Sequence, residues 1–188
     1  MTMRTLLLLA AVGSVTLAPA PATAQARNGT LQAEPSGRVR TAITFRRGGT
    51  GQPFTVAVEY GQPHARGRAV LGGVVPYDRV WRTGANAATS LTTDLDLTIG
   101  GARVPRGRYT LYTLPTRAGW KLIINRQTGQ WGTEYDPKQD LARVDLRTRT
   151  LREPAESFTI WLVPGGAGRG VLRMAWGTVE LSTDWAAR

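Results

Sequence analysis

Arg66, Arg68, Arg79 and Arg82 crowd into residues 66–82 against a single acid, Asp78, with Tyr77 and Trp81 between them. Guanidinium forks match carboxylate or phosphate oxygens in pairs, and aromatic faces offer a stacking surface. This combination predicts an anion or sugar site. Its competitor is a structural loop whose arginines pair with Asp78, Glu59 or strand acids. The run Arg82-Thr83-Gly84-Ala85-Asn86 is the sharpest part. Gly84 permits a positive φ or a close backbone approach, and Asn86 can hold an Asx turn or cap a helix. A short helical turn at 86–90 would add N-terminal amides beside Arg82, forming an anion nest. Gly67, Gly72 and Gly73 have no phosphate-loop spacing.

Other chemistry has thinner support. His64, the one histidine, could act as a general base oriented by Glu59 or Asp78. The alternative is an exposed loop histidine after Pro63. Glu134, Asp136 and Asp140 could supply a glycosidase carboxylate pair, with Trp131 and Tyr135 as a sugar platform. They could equally be solvated loop acids, since Pro137 suggests a plain turn and no EF-hand spacing is present. No Gly-x-Ser-x-Gly elbow exists, which argues against serine catalysis. The chain has no cysteine, so disulfides, thiolate zinc sites and thiol nucleophiles are excluded. One histidine excludes a multi-histidine metal centre. We therefore expect no cofactor and no metal.

The elements that hold these residues are strands. Phe54, Val56, Val58 and Tyr60 share one phase; so do Trp120, Leu122 and Ile124, and Phe158, Ile160 and Leu162. Period-2 alternation of this kind marks half-buried antiparallel strands. Strands are expected near 38–46, 53–60, 88–99, 102–104, 107–114, 119–125, 140–148, 157–163 and 170–182, the last splitting at Trp176-Gly177. Twenty-two glycines and 11 prolines would fragment helices. The expected fold is all-β, a single antiparallel β-sandwich of about nine or ten strands, with a β-barrel as the alternative closure. Residues 61–87 interrupt it as one long insertion loop, a length that is often functional. Trp120 falls on a core phase; Trp161 falls on the opposite phase from its neighbours. Trp131 lies in a loop and is the best stacking candidate among the six tryptophans.

Arg4 precedes an uncharged stretch, Thr5 to Ala26, whose Leu6–Ala11 core is apolar and is followed by Pro19, Pro21 and small-x-small sites at Ala22-Thr23-Ala24 and Ala24-Gln25-Ala26. This is the pattern of a secretory signal peptide. The apolar run is shorter than the roughly 20 residues that span a bilayer. The expected organisation is a signal peptide at 1–26, a flexible leader at 27–37 and one domain at 38–185. The expected product is periplasmic or secreted, with no lipid anchor and no transmembrane segment. The 188 residues carry 24 Lys+Arg and 13 Asp+Glu, so 24 − 13 = +11. Only Lys121 and Lys138 are lysines, and export removes contact with chromosomal nucleic acid, so no nucleic-acid partner is expected. The charge should instead attract anionic polysaccharide, phosphate-bearing or other envelope ligands, and do so less at high salt.

The chain also resembles the domain of unknown function 2911 family of bacterial exported proteins, over roughly residues 53–182. The resemblance rests on Glu59-Tyr60-Gly61-Gln62-Pro63, Gly67-Arg68, Val75-Pro76-Tyr77 and, most specifically, Val80-Trp81-Arg82-Thr83-Gly84-Ala85-Asn86-Ala87-Ala88-Thr89. Further matches are Val104-Pro105, Gly107-x-Tyr109-x-Leu111, Trp120-Lys121-Leu122-Ile123-Ile124-Asn125, Gln130-Trp131-Gly132, Tyr135-Asp136 and Asp140-Leu141-Ala142-Arg143-Val144. It implies export and one domain, and gives no catalytic residue. It also implies a small polar residue where His64 stands, a departure that weighs against His64 as a catalytic group.

The expected function is a non-catalytic binding domain for an anionic or glycan ligand at the cell envelope. Its site comprises Arg66, Arg68 and Arg82 for charge, Asn86 for hydrogen bonding, and Tyr77 and Trp131 for stacking. The competing readings are an envelope sugar or phosphate hydrolase and a structural envelope protein with no small ligand.

Overall fold

Alternating apolar and polar residues become nine strands in this computed structural model, which describes residues 35–48 and 51–188. The signal-peptide segment 1–26 and residues 27–34 of the leader lie outside the described residues. The strands are β1 (Arg38–Arg46), β2 (Pro53–Gly61), β3 (Ala85–Thr93), β4 (Leu97–Ile99), β5 (Ala102–Val104), β6 (Gly107–Pro115), β7 (Trp120–Asn125), β8 (Asp140–Gly166) and β9 (Arg169–Ala187). The one helical element among the described residues is a 3₁₀ turn, Pro137–Gln139. The sequence expectation of an all-β antiparallel fold holds.

The strands join one antiparallel sheet in the order β1-β2-β3-β6-β7-β8-β9-β4-β5. Its edges, β1 and β5, do not pair, so the sheet is not closed into a barrel. β8 serves both halves: residues 140–146 pair with β7, and residues 147–166 pair with β9. The sheet folds over at this shared strand and its inner faces meet. Phe45 of β1 contacts Trp185 of β9 edge-on at 5.9 Å, and the Tyr60 hydroxyl of β2 accepts from the Ile160 amide of β8 at 3.1 Å. Val58, Leu91, Leu111, Leu122, Ile160 and Met174 fill the space between. Trp120 is in this core, while Trp161 is exposed on the outer phase, as the alternation indicates.

Four local differences from the pattern have physical causes. The stretch 88–99 divides into β3 and β4 because the Thr93 hydroxyl bonds both the amide and the carbonyl of Leu95, diverting the backbone into a turn. The segments 140–148 and 157–163 fuse into β8, whose irregular middle is absorbed by register shifts against β9 at Thr150/Ala155 and Ala155/Thr159. β9 does not split at Gly177; that residue sits opposite Ala155 with φ 55°, a bulge inside a continuous strand. The helical turn considered for 86–90 is absent, since those residues belong to β3.

The insertion runs from Gln62 to Gly84 and packs as a cover over one end of the sandwich. Its backbone is fastened to β8 by Ala65 N to Glu156 O (2.7 Å) and Phe158 N to Pro63 O (2.9 Å). It is fastened to β6 by reciprocal bonds between Trp81 and Thr113 (2.8 and 3.0 Å). Ala65, Val70, Val75 and Trp81 are buried beneath it, so this segment is part of the core as well as a loop.

Candidate functional site

The insertion ends in a segment whose backbone is under strain. Thr83 (φ 53°), Gly84 (φ 155°) and Asn86 (φ 61°) all adopt positive φ. Thr83 is β-branched and fully buried, which makes its left-handed conformation unusual. Such strain persists only where surroundings enforce it, and it concentrates at functional sites. The enforcement here is visible. The Thr83 hydroxyl lies 3.2 Å from Thr113 Oγ1, and the Thr89 hydroxyl donates to the Thr83 carbonyl at 2.7 Å. A Cβ on Gly84 would stand 2.9 Å from both Gly61 O and Thr89 Oγ1.

This segment delivers Arg82 to an open cleft of about 410 Å³ whose lining includes Arg68, Arg82, Asn86, Trp81, Tyr112 and Tyr135. Gly132 forms the bed for Arg82: a Cβ there would meet Arg82 Cδ at 2.7 Å and Asn86 O at 2.6 Å. The Gly132 amide donates to that same Asn86 carbonyl at 3.0 Å. Arg82 is half-buried, and its Nε donates to Gly84 O at 3.2 Å. Its Nη1 and Nη2 have neither a hydrogen bond nor an ion pair among the described residues. Arg68 is exposed and donates to His64 O at 2.7 Å and Ala65 O at 3.0 Å, again without an acidic partner among them. The cleft lining contains no carboxylate. The charged residues of the lining are the two cations Arg68 and Arg82.

The phenols in the wall are occupied. The Tyr112 hydroxyl donates to Glu134 O at 2.9 Å and accepts from Gln130 Nε2 at 3.0 Å. The Tyr135 hydroxyl donates to Asp140 Oδ2 and accepts from Arg143 Nη2, both at 2.7 Å. Burial raises Tyr112 above the ordinary tyrosine value. Burial first, then the bond to Asp140, pushes Tyr135 up to about 12. Both phenols stay neutral at physiological pH and act as walls rather than as acids or bases.

Of the residues expected at the site, the structure brings Arg68, Arg82 and Asn86 together and sets the others apart. Arg66, two residues from Arg68, sits at φ 51° in a turn; its amide donates to Glu156 Oε1 at 2.7 Å and its guanidinium to Pro35 O at 3.4 Å. Tyr77 lies under the Arg117 guanidinium, 5.1 Å from its ring centre, outside the cleft lining. Trp131 is 50% exposed but pairs with Ala87, so those two share one face while neighbouring Gly132 and Asn86 take the cleft side. His64 Nδ1 is 2.8 Å from Ser157 Oγ, in a bridge that fastens the insertion to β8.

Of the three acids, Asp136 and Asp140 use their carboxylates in structural bonds, while Glu134 contributes through its backbone. Glu134 supplies its carbonyl to Tyr112. Asp136 caps the 3₁₀ turn by accepting from the Lys138 amide at 2.9 Å. Asp140 accepts from Tyr135, from Asn125 Nδ2 at 2.9 Å and from Arg143 Nε at 2.8 Å. A glycosidase pair must face across a cleft at about 5–9.5 Å, and none of the three lines this one. Among the described residues no cluster of three or more His, Asp or Glu could hold a metal ion, and no helix is long and apolar enough to cross a membrane.

Sequence reading overlooked Tyr112 and Gly132. Tyr112 had a signal: Leu111-Tyr112 and Leu122-Ile123-Ile124 break strict alternation, and all five residues are buried. Continuous apolar runs mark strands covered on both faces, and the 131–136 segment is the cover over this part of the sheet. Gly132 entered the sequence reading only within the Gln130-Trp131-Gly132 match, because its need for a bare Cα comes from the opposing Asn86 carbonyl.

Against known proteins, a family model described as a protein of unknown function (DUF2911) matches residues 47–184, the span from the end of β1 almost to the end of β9. No curated protein and no solved structure matches the chain.

Proposed function

The chain belongs to the DUF2911 family, and we propose that this member is an exported, non-catalytic binding protein whose cleft takes an anionic ligand of the cell envelope, such as an acidic glycan or a phosphate ester. The observation that carries this reading is Arg82: its outer guanidinium fork is without a partner among the described residues, in a cleft with no acid in its lining. A fork of that kind meets two oxygens of a carboxylate or phosphate at once. Arg68 adds a second cation, and the Asn86 side chain a neutral donor and acceptor. Trp81 and Tyr112 are buried behind the lining, and half-buried Tyr135 is the aromatic that the cleft presents to a ligand. The amino-terminal pattern of residues 1–26 supports export.

A thermal-shift panel at low salt tests the reading. Acidic sugars, peptidoglycan fragments, phosphate esters and divalent ions are compared on wild type and Arg82→Ala. A ligand at 100 times its Kd adds about 2.7 kcal/mol, a rise of a few degrees for a chain of this size. A rise in wild type alone, fading with salt, supports the proposal and names the ligand class. Equal rises in both proteins remove Arg82 from the site. A flat panel leaves the cleft without the small anion proposed for it.

A further inference from the structure

The outer face of the β8–β9 hairpin carries an apolar patch that the fold leaves uncovered. Three large apolar side chains are exposed among the described residues, and two of them, Trp161 (40%) and Val163 (38%), are neighbours on this face. They alternate with Ile160 and Leu162, which pack toward the core. Val171 stands directly opposite Val163, and Arg173 opposite Trp161, so all four side chains share one face. Arg169 has the same phase along β9 as Val171 and Arg173. Apolar residues scattered singly are ordinary on a surface, whereas contiguous ones mark a place that meets something else.

The end of the hairpin leaves this face prominent. Ala167 (φ 47°) and Gly168 (φ 69°) make a two-residue connection with positive φ at both positions, and neither side chain exceeds a methyl. Ala187 N donates to Gly168 O at 2.7 Å, which fastens the tip to the end of β9. Phe45, Arg46, Arg47 and Phe54 of the β1–β2 hairpin line one crevice with Ala167 and Gly168, so the two hairpin tips lie side by side.

The free charge at this end has one sign. No acid occurs from Trp161 to Arg173 or from Thr44 to Phe54. Arg46, Arg47 and Arg169 are exposed and have no ion pair among the described residues. The acids nearby are engaged. Asp184 accepts from Arg147 Nη1 and Nη2, both at 2.8 Å, and Glu180 bridges Arg149 at 2.8 Å and Arg173 at 3.7 Å. Asp94 accepts from the Thr55 amide at 2.8 Å. An exposed indole has an apolar body and one polar N–H, which suits the boundary between lipid and water, and guanidinium groups pair with phosphate. A stable protein interface takes about 20–30 residues a side, more than this patch supplies. An anionic bilayer needs no such area, because each arginine near its surface adds affinity separately. We propose that the outer face of the β8–β9 hairpin docks this protein on an anionic lipid bilayer, with Trp161 and Val163 entering the interface and Arg169, Arg46 and Arg47 meeting headgroup phosphates. The face shares no residue with the lining of the Arg82 cleft and does not depend on that reading.

The test titrates the full chain with vesicles of phosphatidylcholine alone or mixed with an equal part of phosphatidylglycerol. The lipids are brominated on their acyl chains, so an indole that enters the interface loses its fluorescence. All six tryptophans lie from Trp81 onward, so the apolar amino-terminal stretch contributes no signal. Quenching should appear with the anionic vesicles and fade with salt. It should be lost in Trp161→Phe and kept in Trp131→Phe, which removes the other exposed tryptophan. Arg169→Ala should weaken the titration about fivefold. Arg108→Ala removes an equal charge from an exposed position on β6 and should weaken it less than about twofold. The proposal is overturned if anionic vesicles quench no more than neutral ones, or if Trp161→Phe is quenched like wild type. It is also overturned if the two arginine variants weaken binding alike, since net charge alone would then be the attraction.

Discussion

The Tyr135 hydroxyl donates to the Asp140 carboxylate at 2.7 Å, and through that bond the wall of the cleft is tied to the first residue of β8. Burial and this bond hold Tyr135 protonated up to about pH 12. An unfolded tyrosine loses its proton near 10. The folded state therefore binds more protons between those values, and stability must fall as pH rises through them. The contribution is fully present below pH 10 and gone above 12. Tyr135→Phe should cost about 1–2 kcal/mol at pH 7. It should also flatten the loss between pH 10 and 12 relative to wild type, since the buried Tyr60, Tyr109 and Tyr112 titrate in both proteins. Urea midpoints at pH 7, 10 and 12 measure this, and parallel curves would deny Tyr135 the role.

Arg82 yields the opposite kind of prediction. A buried guanidinium paired to acids would cost roughly 3–5 kcal/mol when truncated. Arg82 is half-buried with one 3.2 Å hydrogen bond and no ion pair among the described residues. Arg82→Ala should therefore lower stability by no more than about 1 kcal/mol, read from denaturant midpoints. A loss of 3 kcal/mol would make Arg82 scaffold and undo the anion-site reading.

The strands were legible where a single buried face imposes period 2, as from Phe54 to Tyr60 and from Phe158 to Leu162. The middle of β8 was not, because Arg152, Glu153 and Pro154 are exposed and read as a loop. Those residues lie within the register shift between Thr150, opposite Val179, and Ala155, opposite Gly177, with no paired residue of their own on β9, and a shift set by pairing across the sheet leaves no local mark. The site divides in the same way. Arg82 and Asn86 could be read from residue type beside Gly84. Arg66 and Arg68 looked equivalent, yet positive φ at Arg66 and Gly67 turns the chain so that only Arg68 reaches the cleft. Trp131 looked like a platform because it is aromatic in a loop, but its bridge to Ala87 sets its face.

Gly132 should prove as demanding as any charged residue of the cleft. In Gly132→Ala the new methyl meets Asn86 O at 2.6 Å, and that carbonyl is fixed by the Gly132 amide itself. The Arg82 stem can swing aside, but the backbone oxygen cannot. Overpacking of this kind costs about 1–3 kcal/mol. Gly119→Ala is the control, with nothing within 4 Å of the new atom and an expected change within about 0.5 kcal/mol. Equal midpoints for the two variants would show that the 131–135 segment yields freely and does not brace Arg82.

The strained turn before the cleft depends on a pair of hydroxyls, which a double-mutant cycle can isolate. Thr83 Oγ1 and Thr113 Oγ1 are 3.2 Å apart, and both residues are fully buried. Thr83→Val keeps the shape and the positive φ but leaves the Thr113 hydroxyl without its partner, at a cost of about 1–3 kcal/mol. Thr113→Val does the same to Thr83, softened because Trp81 O lies 3.3 Å from the Thr83 hydroxyl. With both hydroxyls gone neither is orphaned, so the double variant should be less destabilised than the sum of the singles by about 1 kcal/mol. Additive costs would mean that the two hydroxyls do not share a bond, and the Thr83 backbone would then be held by Thr89 alone. The cycle also bears on Arg82, which precedes the strained residue. If the pair sets the direction of that side chain, each single variant should weaken anion binding more than the loss of stability accounts for, measured at a temperature where all the variants remain folded.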